Sequence, residues 1–278
     1  MNYTSFDTRM KTYEAVSKGF LTRRTPVIIR IDGKAFHSFT KGMKKPFDEI
    51  LIQTMQETTL ELCKNIQNVK LGYTQSDEIS LLMEDDKTLE TQAFFDNNIQ
   101  KICSITASMA TLYFNRIFKK VVNEVLTDSP MNEILVYLNK FDKALFDARC
   151  FNIPREEVAN YFIWRQGDCS RNSIQMLGRS QFSHKELDKL SCDMIQHKLI
   201  TEKDINWNDL PIYQRRGTTV DQGIKLIKGT DKAGNNIESM REFWKINKEA
   251  PIFSKKRDYI DNYWAWYATK GVGYLNEQ

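Results

Sequence analysis

The sequence predicts an α+β fold with a ferredoxin-like βαββαβ order of elements around one antiparallel sheet. Short apolar runs alternate with longer segments of helical periodicity, in the order strand, helix, strand, strand, helix, strand. After Pro154 the helical patterns predominate. We therefore expect helices on one face of the sheet and a mostly helical C-terminal part.

The first elements carry clear patterns. Residues 8–20 have apolar side chains at helical spacing and predict a short helix. The run Val27–Ile31 is apolar on both faces, as in a central strand. After Pro46, Asp48 and Glu49 occupy the first turn of a helix that extends to about residue 64, where acidic groups favour the helix dipole.

The next elements complete the predicted sheet. Residues 70–83 read as a β-hairpin, and residues 91–119 as a long helix with small residues that allow close packing on a sheet. Residues 145–153 read as a strand that Pro154 ends.

The second half predicts further helices. One spans about 156–179, with an interruption near Gly167, and the capping box of Ser183 and Glu186 opens another that ends near residue 197. Strands are expected over 211–226, followed by an exposed turn over 228–236. An aromatic segment ends the chain, comprising Trp244, Tyr263, Trp264, Trp266 and Tyr267.

Composition excludes several classes of protein. The 40 basic and 36 acidic residues give a net charge of +4, which permits a polyanionic partner without requiring one. Five cysteines without a CxxC pair argue against a zinc site or a disulfide framework. No apolar run approaches the roughly 18 residues of a membrane span. We expect a soluble, cytoplasmic protein without a membrane partner.

Three acidic residues at two neighbouring strand ends form the first candidate site. Asp32 ends the first strand and is followed by Gly33, and Asp77 and Glu78 lie at the hairpin turn. Carboxylates on neighbouring strand ends, with a backbone carbonyl such as that of Gly33, are able to hold two Mg²⁺ ions. The alternative is that these residues merely form exposed turns.

Cationic residues near Gly33 form a second candidate, because a triphosphate needs cations and backbone N–H groups around it. The residues are Lys34, His37, Lys41, Lys44 and Lys45. A solvated lysine loop is the alternative interpretation.

Two later segments admit both functional and structural interpretations. Trp164–Asn172 mixes an aromatic residue with arginines and is suited to nucleic acid, or forms an ordinary amphipathic helix with Arg165 and Asp168 paired. Tyr213–Gly217, with Lys225 and Lys228, is a basic phosphate-binding surface or a charged strand edge. Nucleophile-elbow, Walker A and dinucleotide-binding motifs are absent from the sequence.

Six ordered motifs within residues 27–217 resemble those of the tRNA-histidine guanylyltransferase family, specifically the Thg1-like branch of 3′–5′ polymerases. They are Arg30–His37, Lys45–Asp48, Gln75–Ser80, Phe146–Arg149, Trp164–Cys169 and Leu210–Tyr213.

This resemblance implies a polymerase palm-like catalytic domain over 1–154. It also implies that the region 155–278 completes the catalytic and tRNA-binding surface. By the same resemblance Asp32, the Gly33 carbonyl and Asp77 would bind two Mg²⁺ ions, with Glu78 as a further catalytic residue near them. The implied nucleotide contacts are Asp32, Gly33, Lys34, Ala35, Phe36, His37, Lys45, Ser76 and Asp77.

The implied activity is addition of nucleotides to the 5′ end of tRNA, with ATP and GTP as substrates and a homotetramer as the assembly. A nucleoside triphosphate first activates a 5′-monophosphate, and the 3′-hydroxyl of the incoming nucleotide then attacks that end. Ser170–Ser173 replaces the His-Ile-Asn-Asn run of the eukaryotic branch, and Asn97 and Asn98 replace basic residues. These departures favour the branch that repairs 5′-truncated tRNA.

Two other functional classes remain open. The same palm-like arrangement serves nucleotide cyclases and forward polymerases. A non-catalytic RNA-binding module would use the basic helices and the aromatic segment, although the paired carboxylates would repel phosphate in the absence of a metal.

Overall fold

The structure, a computed structural model, describes residues 3–230 and 236–262. Within them one sheet has the strand order β4-β1-β3-β2-β5-β6, with antiparallel neighbours. The strands are β1 (Val27–Gly33), β2 (Val69–Gln75), β3 (Glu78–Met83), β4 (Phe146–Asn152), β5 (Thr218–Thr230) and β6 (Asn236–Asn247). The α+β class is confirmed, and its first four strands have the order expected of a βαββαβ unit.

Helices connect and cover these strands. Those of the described residues are α1 (Tyr3–Ala15), α2 (Phe36–Phe39), α3 (Glu49–Asn65), α4 (Ile99–Val125), α5 (Met131–Leu138), α6 (Arg155–Gln181), α7 (His184–Leu187), α8 (Cys192–Lys203) and α9 (Ile212–Arg216). Asp48 caps α3, since its Oδ1 accepts the Leu51 N–H at 2.9 Å. No helix among these residues has the length and apolar character of a membrane span.

Helices lie on both faces of the sheet, so the prediction of one covered face is wrong. On the first face Ile29, Ile31 and Leu81 belong to the large core that includes residues of α3 and α4. On the second, Ile28 and Leu82 pack with residues of α6. Successive side chains of a strand point to opposite faces, so β1, with Ile29 in one core and Ile28 in the other, is buried between two layers.

The C-terminal part is less helical than predicted, because β5 and β6 form a long hairpin that extends the sheet beyond β2. Val220 of β5 is fully buried in the first core. The predicted strand over 211–226 is wrong at its start, where α9 forms. Gly217 then ends α9 at φ 77°, and a Cβ there would lie 2.7 Å from the Thr74 carbonyl oxygen.

Other boundaries also differ from the predictions. Helix α6 continues through Gly167, whose position is exposed with open space around it. The capping box at Ser183 is confirmed, but α7 ends at Leu187 and Ser191 caps a separate helix, α8. Helix α1 ends at Ala15, and its apolar residues such as Tyr13 are exposed rather than buried.

Parts of two predictions lie outside the described residues. These are the centre of the turn over 228–236 and the aromatic segment from Tyr263 onward. Trp244 lies on β6 and packs against the first core.

Candidate active site

Asp32 lies at the end of the central strand β1, between carboxylates on both neighbouring strands. Its register partners are Glu78 on β3 and Asp147 on β4. Asp32 is half-buried. These three positions share one face of the sheet, the face on which Ile28 packs against α6, because residues two apart on a strand point the same way.

The hairpin turn brings Asp77 next to the end of β1. The Gly33 N–H donates to the Asp77 carbonyl oxygen at 3.1 Å, which joins the turn to the strand. Ser76 has φ 52° and donates its hydroxyl to Asp77 Oδ1 at 3.0 Å. Burial raises the pKa of the Asp77 carboxyl, the Ser76 hydrogen bond lowers it, and the charge of Asp32 raises it further. The two predicted metal ligands are therefore close enough to repel each other.

This donor set fits a hard divalent cation. The carboxylates of Asp32 and Asp77 repel each other, and the Gly33 carbonyl directly follows Asp32 in the chain. All three groups supply oxygen ligands, which Mg²⁺ prefers. Among the described residues no group of three or more His, Cys, Asp or Glu side chains is arranged to hold a metal ion. Mg²⁺ commonly binds through one or two carboxylates plus substrate phosphates, so the pair Asp32 and Asp77 suits an ion that arrives with a nucleotide.

Glu78 is held differently from these two residues. Its Oε1 accepts from Arg165 Nε at 2.7 Å, and its Oε2 accepts from Arg165 Nη2 at 2.8 Å and from Arg30 Nη2 at 2.6 Å. Glu78 and Arg165 are both buried. The Glu78 carboxylate is thus engaged by two guanidinium groups, which suits a positioning role.

The loop after β1 holds the predicted nucleotide contacts. Lys34, Ala35 and His37 are exposed, whereas the Phe36 ring is buried in the first core. The Phe36 side chain is therefore unable to contact a ligand, but its backbone N–H belongs to the first turn of α2, where N–H groups lack intrahelical acceptors. His37 Nε2 lies 3.0 Å from the Ser38 hydroxyl oxygen.

The lysines of the same loop have different surroundings. Lys44 Nζ forms a 2.8 Å ion pair with Glu133, whereas the neighbouring Lys45 is exposed. Buried Asp48 fixes the loop, because its Oδ2 accepts from the Lys44 N–H at 2.9 Å and from the Tyr137 hydroxyl at 2.6 Å. These hydrogen bonds fix the loop next to the exposed Lys45.

The Trp164–Asn172 segment forms the middle of α6. The predicted pair of Arg165 and Asp168 is confirmed at 2.7 Å, and Arg171 donates to the other Asp168 oxygen at 2.7 Å. The Arg165 guanidinium carbon also lies 4.4 Å from the centroid of the Trp164 ring. The segment is therefore an ion-paired helix whose Arg165 reaches the sheet at Glu78.

The Tyr213–Gly217 segment lies at the same end of the sheet, beside the end of β2. Tyr73 on β2 donates its hydroxyl to the Arg216 carbonyl oxygen at 2.8 Å. Gln214 donates to Glu49 Oε1 at 2.6 Å, which ties α9 to α3. The side chains of Lys225 and Lys228 lie outside the described part of the chain.

Sequence reasoning from spacing missed Asp147 and Arg149 as neighbours of Asp32. Arg149 donates to Asp147 at 3.0 Å, and this bond, with the charges of Asp147, Asp32 and Glu78, raises the pKa of Arg149. Both residues belong to the motif Phe146–Arg149 that carries part of the resemblance. The period-2 alternation of that strand places Asp147 and Arg149 on one face, and pairing of the strand with β1 would have placed them next to Asp32.

Comparisons with known proteins find similarity to one family. The family model described as "Thg1: tRNAHis guanylyltransferase" matches residues 7–154. A bacterial tRNA(His) guanylyltransferase (Thg1)-like protein, solved in complex with ATP, is 43% identical with a TM-score of 0.75, and the match covers 93% of this chain and 98% of that chain. The corresponding complex with GTP gives 40% identity and a TM-score of 0.73, with the same coverage.

Curated relatives extend the comparison. An uncharacterised protein of Acanthamoeba polyphaga mimivirus is 29% identical over 263 residues, which is 91% of this chain and 85% of the relative. The tRNA(His) guanylyltransferase of Saccharomyces cerevisiae is 26% identical over 216 residues, 72% of this chain and 84% of the relative.

Proposed function

The chain belongs to the tRNAHis guanylyltransferase (Thg1) family, and from that membership we propose that it extends the 5′ end of tRNA in the 3′–5′ direction. It is a nucleotidyltransferase of this family. The finer assignment, repair of 5′-truncated tRNA by the Thg1-like branch, is our proposal. The observation that carries the proposal is the joining of Asp32 and Asp77 at one strand end through the Gly33–Asp77 hydrogen bond.

The proposed reaction has two steps. The 5′-monophosphate of the RNA first attacks the α-phosphorus of ATP, forming a 5′-adenylylated end and releasing pyrophosphate. The 3′-hydroxyl of GTP then attacks the RNA's 5′-phosphorus, loses its proton and displaces AMP. An RNA that already carries a 5′-triphosphate is attacked directly and releases pyrophosphate.

In this proposal Asp32, Asp77 and the Gly33 carbonyl would hold two Mg²⁺ ions. When bound, these ions would lower the pKa of the attacking hydroxyl and offset charge on the reacting phosphorus. The exposed Lys34 and Lys45 and the backbone from Ala35 to His37 would bind the triphosphate and orient it. Ser76 would orient the Asp77 carboxylate through its 3.0 Å hydrogen bond.

Glu78 has a supporting role in this account. Because both of its oxygens accept from guanidinium groups, it would fix the strand that follows the Asp77 turn rather than bind an ion. Solved relatives contain ATP and GTP, which supports both as substrates here. The domain division at residue 154, a homotetramer and a cytoplasmic location remain predictions from the sequence.

The test is a 5′-end assay with full-length and 5′-truncated tRNA and each nucleoside triphosphate separately. We expect a labelled nucleotide at the 5′ end, released by 5′-terminal digestion, and faster addition to the truncated RNA. A cyclic nucleotide or a longer 3′ end would show that the palm-like site serves a cyclase or a forward polymerase. RNA binding without nucleotide consumption would indicate a non-catalytic module.

A further inference from the structure

Trp164 is a large aromatic residue whose side chain is half exposed, although it lies in the middle of the long helix α6. Its exposed fraction is 53%. The Arg165 guanidinium lies 4.4 Å from its ring centroid, and Tyr161 meets it edge-on with centroids 5.9 Å apart. The Arg165 guanidinium covers one face of the indole, and about half of Trp164 stays open to solvent.

The indole is held firmly by its neighbours. Arg165 is only 4% exposed and is fixed by its paired bonds to Glu78. Tyr161 is fixed by a 2.8 Å hydrogen bond with the Ser80 hydroxyl. A half-exposed aromatic ring packed against fixed side chains is suited to stack a nucleobase.

Cationic side chains lie on the same side of the sheet. Phe151 of β4 packs edge-on against Tyr161 at 6.0 Å, so Arg149, two residues earlier, projects toward this side as well. The side chain of Arg149 is 55% exposed. Arg171, two helical turns from Trp164, is 58% exposed. Arg149 is paired with Asp147 and Arg171 with Asp168, and each guanidinium has further N–H groups that are suited to a phosphate.

We propose that Trp164 stacks on the 5′-terminal base of the acceptor RNA while Arg149 contacts its phosphate. This proposal rests on the proposed function and adds the location of the RNA end. Arg149 lies beside Asp32, so the contact would deliver the terminal phosphate to the carboxylate pair.

We assign this surface to the RNA rather than to the incoming nucleotide because the proposed triphosphate contacts lie on the other face of the sheet. The loop after β1 packs its Phe36 ring against Phe114 of α4, on the first face of the sheet. The proposed triphosphate contacts lie in that loop, whereas Trp164 lies on the second face. The two substrates would then approach Asp32 from different faces and meet there.

The test measures RNA binding separately from turnover. A 5′-monophosphorylated acceptor-stem hairpin, with or without one unpaired 5′-terminal nucleotide, is titrated by fluorescence anisotropy. We expect the wild type to prefer the hairpin with the unpaired nucleotide by about tenfold, as a stacked base predicts. Trp164→Ala should abolish this preference, Trp164→Phe should retain most of it, and Arg149→Ala should weaken binding of both hairpins.

Matched controls are Tyr13→Ala, an exposed aromatic residue on α1, and Arg179→Ala, an exposed arginine at the end of α6. Both should bind like the wild type. The proposal is overturned if Trp164→Ala, folded by circular dichroism, keeps the preference, or if it raises only the KM for the nucleoside triphosphate. It is also overturned if the loss of binding accompanies dissociation of an oligomer in sedimentation, which would make Trp164 a subunit contact.

Failure of the proposed function gives a different result. In that case no wild-type preparation adds nucleotides to a 5′ end, whatever the behaviour of the Trp164 variants in the binding assay.

Discussion

Arg165 on α6 donates two parallel hydrogen bonds, of 2.7 and 2.8 Å, to the carboxylate of Glu78 on β3. The pair joins the helix on the second face of the sheet to the strand that begins directly after Asp77. Both side chains are almost entirely buried, at 5% and 6% exposure. The turn that carries Asp77 is therefore supported by a helix far away in the sequence.

Replacing Glu78 with Gln should destabilise the protein by roughly 3 kcal/mol, since removal of one partner leaves the buried Arg165 charge without its main counter-ion. Urea unfolding measures this change. Glu202→Gln, in the half-exposed pair with Lys198, is the matched control and should cost less than about 1 kcal/mol. Equal losses in the two variants would contradict the bracing role of Glu78.

Replacing Gly33 with Ala should disrupt the loop that follows β1. A Cβ there would lie 2.3 Å from Cδ2 of the buried Phe36 ring, so the ring and the loop must move. Overpacking of this kind costs about 1–3 kcal/mol, and 5′ addition should fall with it.

Gly167→Ala is the matched control, because open space surrounds that position on α6. It should raise the free energy of unfolding by about 0.5–1 kcal/mol. Unfolding and nucleotide-addition measurements on both variants test the comparison. A Gly33→Ala protein with wild-type stability and activity would refute the close contact.

We expect Glu84, at the end of the sheet away from Asp32, to make the stability of the protein depend on pH. It is 4% exposed and its Oε1 has no hydrogen-bond partner among the described residues. Burial, with the charge of Asp86, raises its pKa from 4.5 to about 7. The folded state therefore keeps a proton that the unfolded state releases, and stability falls as the pH rises from about 4.5 through about 7.

Glu84→Gln should remove this fall. The difference in free energy of unfolding, variant minus wild type, should increase by on the order of 3 kcal/mol as the pH is raised from 4.5 to 8. Urea unfolding across this pH range tests it, with exposed Glu90→Gln as the control. A difference between variant and wild type that stays constant with pH would contradict the raised pKa.

The sequence predicted the central sheet well, because its strands have strong local patterns. The apolar run from Val27 and the turn residues Ser76 and Asp77 define β1 and the β2–β3 hairpin closely. The second helical layer was missed because the periodicity of β1 does not say which element of the chain covers each of its faces.

The site was predictable in part for similar reasons. Asp32 and Asp77 terminate local elements, so their proximity follows from strand pairing. The contact between Glu78 and Arg165 does not follow from strand pairing, because Arg165 lies on α6. Its distance from Glu78 depends on how α6 crosses the sheet. The helix α9 was mistaken for a strand because five residues give too little periodicity to distinguish the two.

The most direct test of the account is transfer of labelled nucleotide to the 5′ end of a tRNA that lacks its first nucleotide, by the wild type, Asp32→Asn and Asp77→Asn. Circular dichroism establishes that each variant is folded. We expect 5′ addition by the wild type and a loss of at least about a hundredfold in each variant. Addition at near wild-type rates by either folded variant would contradict the assignment of this carboxylate pair as the catalytic site.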